Sequence, residues 1–462
     1  MHTGSFRDPA GFIFEHDSNL YRQINLAGKQ DYEFFMSSGL YEVLSSSGLL
    51  IPHKEIKELA GLPNSALRHK IIKPNKIPFI SYPYEWSFSQ LKDAALLTLR
   101  IQKLALDHGM ILKDASAFNV QFIGSKAIFI DTLSFRIYEN NVPWDGYKQF
   151  CQHFIAPLTL ASYTSPIVIS TLKVFLDGIP LSLATKLLPT GTKRRWGLLA
   201  HLHLHAASQK RYDKANLNPK TKSRKVSPTA LRGLVRSLEK TVVKLNRPQH
   251  LTEWGDYYDN TNYSSTAFTA KKRLVKEFLE DLSPTPKTVW DMGANDGTFS
   301  ELAAKLGAQT VSFDVDYQAV ESNYAKKRSP DLEKLILPLL QDFSNPSPAL
   351  GWAHKERSSL EQRGPADVVM ALALVHHLAI GNNSPLPDIA AFFRTISKQL
   401  IIEFIPKEDS KVEILLRGRN NIFTDYDIEH FEQAFAEHFK LIRRETVLGS
   451  QRVIYLYKAK AY

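Results

Sequence analysis

Asp291, Gly293, Asn295 and Gly297 fall within seven consecutive residues, in the run Val289-Trp290-Asp291-Met292-Gly293-Ala294-Asn295-Asp296-Gly297. An apolar strand pattern precedes them. A helical pattern follows, with Phe299, Leu302 and Leu306 on one stripe and Gly307 as its stop. A strand that ends in a carboxylate and turns on glycines into a helix lets the backbone approach a ligand closely. Residues 310–314 form a second apolar run ending in Asp314, 23 positions beyond Asp291. At that distance a carboxylate accepts hydrogen bonds from ribose hydroxyls. The pair points to a nucleoside-type ligand. A dinucleotide fits less well, because passing a pyrophosphate takes three glycines and the middle position here is Asn295.

The elements that must hold these residues alternate in type. Apolar runs at 288–291, 310–314, 335–340, 367–374 and 400–405 read as buried strands with helical patterns between them, which gives a parallel sheet covered on both faces. Residues 440–459, broken at Leu448-Gly449-Ser450, read as an antiparallel hairpin. Pro338 in the third run suits an edge strand. The glycine and asparagine pattern, with three Asp residues at successive strand ends, resembles motif I and its partners in class I S-adenosylmethionine-dependent methyltransferases. The resemblance covers residues 251–462 and implies a Rossmann-like seven-stranded sheet with an antiparallel last strand. It implies S-adenosyl-L-methionine as cofactor, with Asp291, Gly293, Asn295 and Gly297 shaping its pocket. Asp314 is then on the ribose and Asp342 on the adenine amino group. The aromatic segment 254–263 resembles a lid, with Tyr258 or Tyr263 lining the pocket. His376 and His377 follow the fourth strand and Glu403 ends the fifth, so these three are candidates for general base or pocket wall. Arg417 and Arg419 are candidates for receiving an anionic substrate. No Asn-Pro-Pro-Tyr follows the fourth strand, which sets aside the common amide-nitrogen chemistry.

The N-terminal half carries a second constellation. Residues 11–17 and 19–24 read as two strands joined by a turn. Leu97, Ile101, Leu104 and His108 form a helical stripe stopped by Gly109. Asp114 and Asn119 follow, and then Asp131 after an apolar strand. This spacing resembles the catalytic loop and metal-binding Asp of the protein-kinase-like fold, an α+β domain over residues 1–200. Arg22 stands where a phosphate-binding lysine is expected. The pattern departs from the family at several points. Lys113 precedes Asp114, Thr132-Leu133 follows Asp131, and no Gly-rich loop is evident. The resemblance is therefore to a degenerate member with a vestigial nucleotide site at Arg22, Asp114, Asn119 and Asp131.

The net charge of +11 is concentrated in one place. Between 210 and 247 stand twelve Lys and Arg residues against Asp213 and Glu239, a balance of +10. This marks residues 201–250 as a basic connector that either is simply solvated or holds an anionic partner. His201, His203 and His205 alternate, but no Cys or carboxylate accompanies them, so no metal site is expected. The lone Cys151 excludes an intramolecular disulfide. The apolar stretch 154–189 is interrupted by Pro157, Pro166, Lys173, Asp177 and Pro180, so it reads as buried helices and not a transmembrane segment. The first twelve residues lack the apolar core of a signal peptide. A cytoplasmic methyltransferase acting on a small-molecule or glycan acceptor is the preferred reading. An RNA methyltransferase using the basic connector, a bifunctional kinase and methyltransferase, and a non-catalytic scaffold are the alternatives.

Overall fold

The computed structural model describes residues 4–57, 59, 66–214, 225–248, 265–417 and 422–461. The described residues form two compact units. One lies within Met1–Ile123, Ala127–Gln249 and Gly351–Arg357, the other within Gly124–Lys126, His250–Leu350 and Ser358–Tyr462.

The first unit opens with strands β1 (Gly11–His16) and β2 (Asn19–Asn25). Asp17 and Ser18, both at positive φ, make the two-residue turn between them, the geometry that matches the twist of a hairpin. Helices α1 (Lys29–Ser37) and α2 (Leu40–Ser46) follow, then strands β3 (His53–Ile56) and β4 (Arg68–Pro74). These strands form an antiparallel sheet in the order β1-β2-β4-β3. The long helix α3 (Phe88–Asp107) begins at Ser87, whose side chain accepts from the Gln90 N–H, and stops before Gly109 at φ +73°. Three short pieces of sheet, β5 (Met110–Leu112), β6 (Val120–Ile123) and β7 (Lys126–Phe129), then β8 (Phe135–Ile137), carry the chain past Asp114 and Asp131.

Helices α4 (Tyr147–Phe150), α5 (Ala156–Tyr163), α6 (Leu181–Leu187), α7 (Trp196–Leu198) and α8 (His205–Lys214) follow. The expected connector is more than a linker. Its residues 228–243 form helix α9 (Pro228–Val243), whose buried stripe of Leu231, Val235, Leu238 and Val242 packs on α3 within this unit. Alternation of that stripe with Arg and Lys at helical spacing is what lets a strongly basic segment still bury one face.

In the second unit, α10 (Ser265–Glu280) leads into β9 (Thr288–Met292), α11 (Ser300–Lys305), β10 (Gln309–Asp314), α12 (Tyr317–Ala325), α13 (Pro330–Glu333) and β11 (Ile336–Leu340). After these come β12 (Ala366–Ala371), α14 (Leu386–Ile396), β13 (Ser397–Phe404), α15 (Ser410–Leu416), α16 (Ile428–His438), β14 (Phe439–Thr446) and β15 (Val453–Ala459). The seven strands form one sheet in the order β11-β10-β9-β12-β13-β15-β14. The first five are parallel, and β15 runs antiparallel to both neighbours. This is a Rossmann-like sheet whose last two strands form an antiparallel hairpin. Its parallel strands are near-continuous apolar runs because helices cover both faces, and β11, which contains Pro338, is at the edge. One strand is shorter than the sequence suggested. β12 ends at Ala371, and Leu372–Leu374 turns away, with Ala373 at φ +55°.

Candidate cofactor-binding site

The strand order reverses between β9 and β12, and ligands of open α/β sheets bind outside the carboxyl ends of strands at such a point. A cavity of about 340 Å³ lies there. Its wall includes Gly293, Asn295, Asp314, Asp342, Phe343, Leu372, Leu374 and His377. The turn after β9 is built by backbone geometry that few residues adopt. Gly293 and Gly297 have φ +81° and +78°, and Asn295 has φ +48°, the left-handed region that Asn tolerates best among residues with a side chain. A Cβ placed on Gly293 meets nothing nearer than 3.9 Å, so the turn leaves a cradle that a side chain would fill.

Asp314 ends β10 at the cavity wall. Its Oδ2 accepts the Asn295 N–H at 2.8 Å and its Oδ1 accepts the Asp316 N–H at 2.9 Å, which fixes the carboxylate and leaves lone pairs toward the cavity. Burial pushes its pKa up to about 6, against the pull of these N–H groups. Asp291 is deeper. It is 1% exposed, outside the cavity wall, and accepts the Ser300 hydroxyl at 2.6 Å, which in turn accepts from Ser312 at 2.6 Å. Burial pushes its pKa up to about 7. It sits behind the turn, bonded to Ser300 at the start of α11. Asp342 is exposed at the rim after β11 and accepts both the N–H and the hydroxyl of Ser344. Val315 and Phe343 supply apolar wall on either side of the two carboxylates' strand ends.

The candidate bases separate. His377 lines the cavity, and burial lowers its pKa to about 4, so its imidazole is neutral at pH 7. The His376 ring packs against it at a tilt of 39°, with centroids 4.1 Å apart. Burial and then the charges of His377, Arg452 and Lys271 hold His376 well below the usual histidine range. Glu403, expected near the reacting group, is instead sealed beneath the cavity. Its Oε2 accepts from Lys271 Nζ at 2.6 Å, and Arg452 approaches its Oε1 at 3.8 Å. Arg452 also donates to Asp409 at 2.7 Å. Lys271 is a charged cavity-wall residue that sequence reading missed. The signal was present, since Ala267, Lys271, Val275 and Phe278 share the buried stripe of α10, and a lysine on an apolar stripe needs a partner. Tyr258, Tyr263 and Arg419 lie outside the described residues, and Arg417 is exposed at the end of α15.

In the first unit Arg22, Asp114, Asn119 and Asp131 come together. The Arg22 guanidinium is ion-paired with Asp131, which also accepts from the Leu133 N–H and the Ser134 hydroxyl. Asn119 donates to that hydroxyl at 3.1 Å. Burial alone would raise Asp131, but Arg22 and these donors hold it below the usual carboxylate range. Asp114 is raised, first by burial and further by Asp131, against the Ser116 N–H it accepts. The three histidines of 201–205 are engaged by hydroxyl groups and rings: His201 with Tyr147 and Ser237, His203 with Thr192, and His205 stacked on Tyr147. Among the described residues no cluster of His, Cys, Asp or Glu is arranged to hold a metal, and no helix is long and apolar enough to cross a membrane.

No protein-family model matches the chain. Nodulation protein NoeA of Rhizobium meliloti (strain 1021) is 35% identical over 470 residues, spanning 99% of this chain and 95% of that protein. Among solved structures, the bifunctional kinase-methyltransferase WbdD aligns over 42% of this chain and 40% of its own, with 17% identity and a TM-score of 0.29. The magnesium protoporphyrin IX methyltransferase ChlM of Synechocystis PCC 6803, with bound SAH, aligns over 44% of this chain and 91% of its own, with 16% identity and a TM-score of 0.31. The N-methyltransferase NodS of Bradyrhizobium japonicum WM9 aligns over 43% of this chain and 99% of its own, with 9% identity and a TM-score of 0.31.

Proposed function

The chain belongs to the family of nodulation protein NoeA, and from that premise and the cavity of its second unit we propose that it is an S-adenosylmethionine-dependent methyltransferase. The observation that carries this reading is Asp314. Its carboxylate is fixed by two backbone N–H groups, at the carboxyl end of the strand next to the Gly293–Asn295–Gly297 turn, and opens on the cavity. The residues fit the cofactor. Asp314 would accept from ribose hydroxyls and Asp342 from the adenine amino group, and Val315 and Phe343 would offer apolar wall to the base. The open cradle at Gly293 gives room for the methionine part, and Lys271 supplies a cation against its carboxylate. When bound, S-adenosylmethionine supplies an electrophilic methyl group on sulfur.

The chain's own work is to align an acceptor, exclude water and receive a proton. His377, neutral and in the cavity wall, is the residue we assign to receive a proton from an acceptor hydroxyl. His376 packs on its ring and steadies it. Glu403 is a structural partner of Lys271 in this reading. The acceptor class we favour is a compact hydroxyl-bearing one, a small molecule or a glycan unit.

The test is calorimetric titration of S-adenosylhomocysteine into the wild-type chain and into Asp314→Ala. Binding in the micromolar range that weakens at least tenfold in the variant is the expected result. A folded wild-type chain that takes up no S-adenosylhomocysteine would remove the proposal and leave the scaffold reading.

A further inference from the structure

The first unit presents a surface that the cavity of the second does not use. Lys193, Arg194, Arg195 and Trp196 are four consecutive exposed residues, and the Trp196 side chain is 83% exposed. An indole is among the largest apolar side chains, and leaving it in water forgoes a large burial gain. Leu187, at the other end of the same turn, is 57% exposed. The turn thus carries two apolar side chains flanking a run of cations. It is also firmly seated. Gly197 packs so tightly on α9 that a Cβ there would come within 2.1 Å of the Thr241 hydroxyl, and Lys92 of α3 donates to the carbonyls of Val243 and Leu245 at the end of α9.

Helix α9 is basic on its own exposed side. Arg236, Lys240 and Lys244 follow at i, i+4 spacing, exposed on the face opposite the Leu231–Val242 stripe, and with Lys103 of α3 they line a shallow groove. Glu239 is the acid in that groove. Val243, at its end, is 53% exposed.

We infer that this turn docks on an anionic lipid bilayer, with Trp196 and Leu187 at the headgroup level and Lys193 and Arg194 against lipid phosphates. Tryptophan next to Lys and Arg is the composition that settles at a membrane interface, where the ring sits among headgroups and the cations gain from the negative surface. Single-stranded nucleic acid is the less suitable partner. It needs a series of aromatic platforms for successive bases, and this face offers Trp196 with aliphatic neighbours instead.

The test is co-sedimentation of the full chain with vesicles containing about 30 mol% phosphatidylglycerol, beside pure phosphatidylcholine vesicles, in low salt. The expected result is binding to the anionic vesicles alone, with a blue shift of tryptophan emission. In Lys193→Gln/Arg194→Gln the lipid needed for half-binding rises about 25-fold, at roughly fivefold per cation. Trp196→Ala loses the blue shift. All these positions are exposed, and unchanged thermal unfolding of each variant verifies the fold. Absence of wild-type binding, equal binding to both vesicle types, or binding that the variants leave intact overturns the inference. So does a polyuridylate competitor that strips the chain from vesicles at trace concentration, which would assign the face to nucleic acid. None of these outcomes depends on methyl transfer, so this inference and the proposed activity fail separately.

Discussion

Asp314 and Asp291 stand on neighbouring strands and both are pushed upward by burial, yet they make different predictions because only one opens on the cavity. Asp314 titrates at about 6. Ribose hydroxyls donate to its ionised form, so affinity for S-adenosylhomocysteine should be flat above pH 7 and fall toward tenfold per unit below about pH 6. Asp314→Asn should bind weakly and without that step, and calorimetry across this range checks both. Asp291 affects folding. Its folded pKa of about 7 lies above the carboxylate value of 3.8, so the folded state holds its proton more tightly than the unfolded chain does. The stability it contributes is full below about pH 4 and is lost as pH rises through 7. Denaturant unfolding of Asp291→Asn should show a shallower decline between about pH 4 and 7 than the wild type. An unchanged slope would mean that Asp291 stays ionised despite its burial.

At the scale of elements, the strands and the turn after β9 were legible because their physics is local. Apolar runs of strand length, glycines at the turn and acids at strand ends need no knowledge of distant residues. The end of β12 was not legible, since Leu372 and Leu374 are as apolar as the strand before them and leave it only because the turn builds the cavity wall. Nor was the partner of Glu403, which lies 132 positions away on α10. Lys271→Met should therefore lower stability by roughly 3–5 kcal/mol by removing the ammonium that faces the buried Glu403 carboxylate, and adding Glu403→Gln should recover part of it. Chemical denaturation of the single and double variants measures this. The docking of α9 was hidden for a similar reason, because the charge of its exposed face dominated the reading of its sequence. Two glycines give a contrast that sequence alone does not. Both have positive φ, but a Cβ at Gly297 would lie 2.6 Å from the Asn323 amide, which Arg328 pins, while one at Gly307 meets nothing within 4 Å. Gly307→Ala should cost about 1 kcal/mol of backbone strain, and Gly297→Ala about 1–3 kcal/mol more. Equal midpoints in denaturant would contradict the packing at Asn323.

Taken whole, the molecule carries two ligand-like constellations in two units, and the prediction is that only one of them answers to its ligand. The cavity beside Asp314 is open, with lone pairs free to accept. The cluster around Asp131 is closed on itself. One oxygen is engaged by Arg22 and the Leu133 N–H, the other by the Ser134 hydroxyl. Magnesium binding there requires carboxylate oxygens, so Arg22 would first have to leave a carboxylate whose side chain is only 17% exposed. Hydrogen exchange read by mass spectrometry separates the two sites without dividing the chain. S-adenosylhomocysteine at a hundredfold excess over its Kd adds about 2.7 kcal/mol to the state that binds it. Protection should appear in peptides covering 293–297, 314–315, 341–344 and 372–378. ATP with magnesium should leave peptides covering 22, 114–119 and 131–134 unchanged in the wild type. Protection of those peptides by ATP would show that the Arg22–Asp131 pair opens for a nucleotide, and the first unit would then be a working site and not a vestige.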